Sequence, residues 1–191
     1  GSDKMKFGII FQDALTAKYK GDKYKEILDG LPPKDKKEAL KLINKSHDFK
    51  DILYYDEYMF VDLGIGIPIR FAADLITKHE IVETKTTRGY YNAEMARHEH
   101  QGSMYYECVK RLLGLDLPVK YQIFNLPKTE CNLITLNKTQ VDSDNVIDWA
   151  KDVLSRIKSC YRSGQWVIKR HGVYPCNLGK ACPIKYGLYG K

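Results

Sequence analysis

The stretch IVETKT, residues 81–86, carries Glu83 and Lys85 two positions apart in an otherwise uncharged run, and Asp74 stands nine residues before Glu83. Alternation along a strand puts residues i and i+2 on one face, so Glu83 and Lys85 project together while Val82 and Thr84 project the other way. Charges side by side near the middle of a sheet are costly to bury without partners. A turn centred on Lys78-His79 would bring Asp74 opposite the Glu83 region, because positions 74 and 83 lie equally far from it. Two carboxylates that close repel each other, and a divalent cation resolves the conflict. Oxygen ligands with positions left open for water and a substrate phosphate suit Mg²⁺ or Mn²⁺. Such an ion lowers the pKa of a water and clamps a phosphate. Lys85 beside it would orient the attacking water or stabilise charge developing on phosphorus. The chemistry within reach of these residue types is metal-assisted hydrolysis of a phosphodiester.

Positioning them requires a sheet. Residues 6–19 and 34–45 have helical spacing of apolar residues, the second stretch following Pro32-Pro33, and both are expected to cover a sheet. Three short apolar runs, 58–69, 70–77 and 79–86, are expected to form neighbouring strands joined by tight connections, with Asp74 at the heart of the second. Gly64 and Gly66 would bend the first run, and no helix opens after them to make a phosphate loop. Residues 90–113 lack proline and precede Gly114, which predicts one helix with a glycine stop. Two more strands, 117–126 and 131–136, and an amphipathic helix over 142–163 follow, then a loop-dominated tail at 164–191. The pattern predicts an α/β (α+β) fold with a mixed central sheet flanked by helices, in one domain over residues 3–191. Gly1-Ser2 is read as a remnant of tag removal.

The series Asp74, Glu83-Thr84-Lys85, followed by HEHQGSMYYE with Gln101 and Tyr105 one turn apart on one helix face, resembles the PD-(D/E)XK nuclease superfamily, in particular its RecB-like branch. The resemblance covers roughly residues 58–125. It implies the restriction-endonuclease-like core of that superfamily and a metal-dependent phosphodiesterase acting on DNA, often as an exonuclease. Asp74, Glu83 and the Thr84 carbonyl would be Mg²⁺ or Mn²⁺ ligands, Lys85 the catalytic cation, and Gln101 and Tyr105 would place the lysine or the phosphate. RecB-like members usually open with Gly-x3-His; the corresponding stretch here is Gly8 to Gln12, so Gln12 would offer a carbonyl oxygen where the family has an imidazole. Implied partners are single-stranded DNA or duplex ends, with replication or recombination proteins of a prokaryotic or phage-infected cytoplasm.

Some relatives hold an iron–sulfur cluster on one cysteine before the core and three near the C-terminus. Here Cys160, Cys176 and Cys182 come late, no cysteine precedes Cys108, and no CxxC pair exists, so free thiols are expected instead. Two rival readings remain open. Gln12 keeps alive a nuclease-fold protein that binds nucleic acid without turnover, and a viral RNA endonuclease of similar size is opposed by the Gln-x3-Tyr helix. An ion-pair network of Asp74, Glu83 and Lys85 without chemistry would not predict that helix.

Formal net charge is +7 and the pI about 9.0. No acidic residue follows Asp152, so the excess is concentrated in a basic C-terminal segment on a near-neutral body, which favours a polyanionic partner. Nucleic-acid contacts are expected from Arg88, Tyr90, Tyr91 and His98 near the site and from Lys169 and Arg170 in the tail, the tyrosines by stacking on an unpaired base. No apolar run approaches the length of about 18 residues that a membrane span needs, and no secretory signal is present, so a cytoplasmic location without membrane contact is expected.

Overall fold

A computed structural model describes residues 3–136 and 143–164. The chain divides into two compact units, Gly1–Val146 and Ile147–Lys191. The first holds every element up to β7 and all the residues of the candidate site that fall within the described stretches. The described part of the second continues a long helix, Ser143–Ser163. Lys169, Arg170, Cys176 and Cys182 lie outside the described residues.

The first unit is a mixed α+β structure built on a five-stranded sheet. Its elements are α1 (Asp3–Lys20), α2 (Tyr24–Ile27), a 3₁₀ turn (Leu28–Gly30), α3 (Pro33–Ile43), β1 (Ile52–Tyr55), β2 (Met59–Asp62), β3 (Pro68–Phe71), β4 (Leu75–Thr77), β5 (Ile81–Thr87), α4 (Ala93–His98), α5 (His100–Leu113), β6 (Val119–Asn125) and β7 (Glu130–Leu136). The sheet order is β1-β4-β5-β6-β7, antiparallel except for the β5–β6 pair. A parallel pair needs a long crossover. Helices α4 and α5 supply it, which is how Gln101 and Tyr105 come to lie over the strand that carries Glu83 and Lys85.

The two faces of the sheet have different tasks. Phe7, Phe11, Ala14 and Leu15 of α1 recur at helical spacing and are buried with Leu28, Ala39, Leu42, Ile43 and Phe124. The Phe11 ring meets that of Phe124 edge-on at 4.9 Å. Burial of several large side chains at about 1.5–3 kcal/mol each anchors α1 and α3 on this face. On the other face the register aligns Glu83 with Tyr121 and Ile134, Lys85 with Ile123 and Asn132, and Thr87 with Asn125 and Glu130. That face carries Glu83, Lys85, Asn125 and Asn132.

Three expectations need correction. The runs at 58–69 and 70–77 do not form two strands of the main sheet. Gly64 and Gly66, both at positive φ, turn the chain back so that β2 and β3 pair only with each other. Phe60 is left exposed, while Phe71 packs 6.2 Å from the Tyr105 ring. Only Leu75–Thr77 joins the main sheet, and Asp74 lies just before that strand instead of at its heart. The edge strand β1 was not anticipated, since its four residues, ILYY, are bounded by acidic Asp51 and Asp56, both at positive φ. The helix expected over 90–113 is broken at Glu99, whose backbone is extended, so α4 and α5 are separate. Its end is as expected: Gly114 adopts φ 70° and its N–H returns to the Lys110 carbonyl.

Candidate active site

The site begins where the β4–β5 ladder runs out. Leu75 pairs with Val82 and Ile76 with Ile81, so one further step places Asp74 across from Glu83. There the Asp74 side chain takes over from the strand: its Oδ2 accepts from the Thr84 N–H at 2.5 Å. A residue in an antiparallel ladder presents its N–H and C=O to the same neighbour. The Thr84 carbonyl therefore opens on the edge that Asp74 occupies.

Lys85 is the centre of a compact polar cluster. Its ammonium lies 3.0 Å from Glu83 Oε1 and 3.5 Å from Glu99 Oε2, and donates to Gln101 Oε1 at 2.5 Å. Gln101 in turn donates from Nε2 to the Tyr105 hydroxyl at 2.9 Å. An ammonium has no acceptor capacity, so the amide oxygen must face Lys85 and the amide nitrogen must face Tyr105. The i, i+4 spacing on α5 lets the pair act as one bracket.

Burial sets the electrostatics. Glu83 is 6% exposed, and its Oε2 is buried without a hydrogen-bond partner. Burial raises the Glu83 carboxyl above its ordinary range, beyond what Lys85 and Gln101 offset. Asp74 is pushed up to about 8, first by burial and then by the Glu83 charge, against the opposing Thr84 N–H and Lys85. Burial alone would lower Lys85, but the charges of Glu83 and Glu99 outweigh it and hold its pKa above the ordinary lysine value. Tyr105 is raised by burial and by the Glu83 charge, so it stays a neutral phenol. Without a cation, Asp74 holds its proton into the neutral range, and Glu83 gives its own up less readily than an ordinary carboxyl.

Two facing carboxylates, Glu83 buried with an orphaned oxygen and Asp74 half-buried, fit a hard divalent cation. Among the described residues no cluster of three or more His, Cys, Asp and Glu side chains is arranged to hold a metal. Mg²⁺ keeps several waters and is commonly bound by one or two carboxylates plus substrate phosphate, so a pair of acids is enough to hold it. Asp74 and Glu83 would hold it, with the Thr84 carbonyl on the same edge.

The other residues picked from sequence fall into three groups. Gln12 is half-buried on α1, and among the described residues no hydrogen bond joins it to Asp74 or Glu83. Two other α1 residues have electrostatic reach toward the site, Asp13 and Lys20: burial and then the Asp13 charge raise the carboxyl of Asp56 against the opposing Lys20, and the Asp56 N–H donates to the Asp74 carbonyl at 3.1 Å. Arg88 and Tyr90 are exposed in the turn after β5, and His98 is exposed at the end of α4. Tyr91 turns inward, its ring 6.2 Å from that of Tyr121, with burial and then Glu99 holding its hydroxyl neutral.

Sequence reasoning missed Glu99 and Tyr121. Glu99 reaches Lys85 because the chain breaks between α4 and α5, and no glycine or proline marks that break. Tyr121 is fully buried beside Gly102. The glycine within an otherwise uninterrupted helix was the available signal of a close approach. Cys108 and Cys131 are free thiols, and burial pushes them up to about 12 and about 11. Cys160, in the helix Ser143–Ser163, is also free.

The chain matches no family model and no curated protein. Its fold is that of a solved structure. A crystal structure from Eubacterium rectale, that of a "putative exonuclease", superposes with a TM-score of 0.62 over 91% of this chain and 78% of that one, at 13% identity. The mixed sheet with flanking helices is thus the fold shared with that structure. Among the described residues no helix is long and apolar enough to cross a membrane.

Proposed function

We propose that this protein is a metal-dependent nuclease of the RecB-like type that hydrolyses phosphodiester bonds in DNA, acting as an exonuclease on single strands or ends. The observation that carries the reading is the buried, unpartnered Glu83 Oε2 beside an ammonium fixed by Glu83, Glu99 and Gln101. A structural ion pair needs neither an orphaned carboxylate oxygen nor an amide bracket. The likeness in fold to a protein named as an exonuclease supports the same assignment.

When bound, Mg²⁺ or Mn²⁺ would supply an acidified water and a clamp on the scissile phosphate. The chain's own contribution is positioning and charge. Asp74 and Glu83 lose their protons to hold the cation, and Thr84 fixes Asp74 through its N–H. Lys85 meets a non-bridging phosphate oxygen and stabilises the charge that grows on it, a preorganised cation in a half-buried setting. Gln101, backed by Tyr105, fixes the ammonium in place beside Glu83, while Glu99 balances its charge in the free enzyme.

The test is a gel assay with labelled single-stranded DNA, duplex DNA and RNA, in Mg²⁺, Mn²⁺ or EDTA, alongside Glu83→Ala and Lys85→Ala. Metal-dependent loss of DNA, abolished in both variants, is the expected result. Binding with no cleavage under any metal would instead make the protein a nuclease-fold binding module, and cleavage confined to RNA would make it a ribonuclease.

A further inference from the structure

A cavity of about 260 Å³ opens beside the site, on the same face of the sheet as Lys85. Thr87 lines it and lies two residues beyond Lys85 on β5, about 7 Å along the strand. Ile123, the β6 partner of Lys85, and Asn132, the β7 partner of Ile123, also line it. Neighbouring strands are about 4.8 Å apart, so the cavity begins one strand from the ammonium. It also sits past the carboxyl ends of the only parallel strand pair among the described residues, where open α/β sheets commonly bind ligands.

Its chemistry points to one class of occupant. Tyr90, 77% exposed, stands at its edge, and Tyr91 separates it from Glu99 and Tyr121. The floor is apolar, from Ile123 and Ile134. Asn125 is held in its turn by long contacts, 3.4 Å to the Gly89 carbonyl and 3.2 Å from the Lys128 N–H. The Asn132 side chain makes no hydrogen bond to any described residue, so its amide can pair with a ligand. A phosphate would want several cations, yet the rim offers Lys128 with Glu130 close by. A lipid would not want amides. A planar heterocycle uses every feature: rings to stack on, an apolar floor, and an amide that can pair with a base edge in two places. The volume lies just below the range of drug-sized pockets and suits a single base with its sugar.

We propose that this cavity is a base-binding subsite that takes one unpaired nucleobase of the strand whose phosphodiester lies against Lys85. The inference rests on the nuclease reading above and narrows its substrate: the strand must be single or frayed at the site, since a base paired within a duplex cannot enter. Arg88, exposed in the turn between the cavity and β5, is placed to meet the backbone of the same strand.

The test measures binding of the full chain, in EDTA, to fluorescent single-stranded oligonucleotides that are intact or carry one abasic position, moved in turn along the strand. One abasic position should weaken wild-type binding about tenfold, the scale of a lost base–aromatic stack. Asn132→Trp, which fills the cavity from an exposed strand position, and Tyr90→Ala should each weaken the intact strand by a similar factor and make it indifferent to that abasic position. Melting curves would establish that both variants fold; if Asn132→Trp does not, Tyr90→Ala and the abasic series decide alone. Equal binding of intact and abasic strands, wild-type affinity in the folded variants, or no binding at all would each overturn the subsite. Failure of the nuclease reading looks different: the abasic effect would persist while no metal supports cleavage, leaving a base-binding protein.

Discussion

Gly102 lies so close to Tyr121 that a Cβ placed on it would stand 2.6 Å from the tyrosine hydroxyl and 3.3 Å from two ring carbons. Tyr121 is fully buried and cannot swing aside. Helix α5 can therefore approach β6 only with glycine at this position, and that approach sets how far Gln101 stands from Lys85. Gly102→Ala should cost about 1–3 kcal/mol, the usual penalty for overpacking, and should lower cleavage as well, because Gln101 moves with its neighbour. Adding Tyr121→Phe removes the closest atom. The double variant should recover part of both losses, and melting curves with a cleavage assay on the four proteins would reveal the coupling.

The acid pair makes a prediction about pH. Asp74 has its folded-state pKa raised to about 8, chiefly by burial and by Glu83, from an ordinary value of 3.8. The folded protein therefore binds more protons than the unfolded chain between those limits. Stability must fall as pH rises through that window. In EDTA, the melting temperature should drop from about pH 4 toward about pH 8 by more than in Asp74→Asn, where this contribution is absent. Millimolar Mg²⁺ should reverse the loss at the upper end by binding the ionised pair in the folded state. A melting temperature in EDTA indifferent to Asp74→Asn at both pH values would contradict the burial described here.

Gln101 separates positioning from charge. It touches Lys85 and Tyr105 but carries no charge of its own. Gln101→Ala should reduce kcat about a hundredfold, the scale of misplacing a catalytic group by about an ångström. KM should change little, and metal affinity should be unaffected. Tyr105→Phe removes only the far support of the amide, so its loss should be smaller. Single-turnover cleavage at saturating DNA would measure both.

Much of the site was legible because strand geometry is periodic. Counting outward from Lys78-His79 put Asp74 opposite Glu83, and alternation put Lys85 beside Glu83; neither step needed knowledge of the remaining fold. The i, i+4 spacing of Gln101 and Tyr105 likewise survives any placement of the helix. Glu99 was not legible, since it enters the site only through a break in the helix that no residue type announces. The β2–β3 hairpin was misplaced for a related reason. Its apolar residues are as hydrophobic as those of a central strand, and what keeps it out of the main sheet is the reversal at Gly64 and Gly66. Periodicity specifies faces, whereas breaks and reversals specify which element meets which.

The last prediction concerns the ammonium itself. Lys85 lies 3.0 Å from Glu83 Oε1 and so competes with any cation for that carboxylate. Lys85→Ala should therefore abolish cleavage while leaving a site that binds Mg²⁺ at least as tightly as the wild type. The comparison must be made above about pH 8, because Lys85 lowers the pKa of both acids and its loss lets them hold their protons to higher pH. Titration calorimetry of Mg²⁺ into the wild type, Lys85→Ala and Glu83→Ala would separate the roles. Tight binding without cleavage in the lysine variant, with no binding in the glutamate variant, would assign the ion to the carboxylates and the catalytic charge to Lys85. Loss of Mg²⁺ binding in Lys85→Ala would mean that the lysine instead holds the acid pair in shape, and its role in the chemistry would have to be withdrawn.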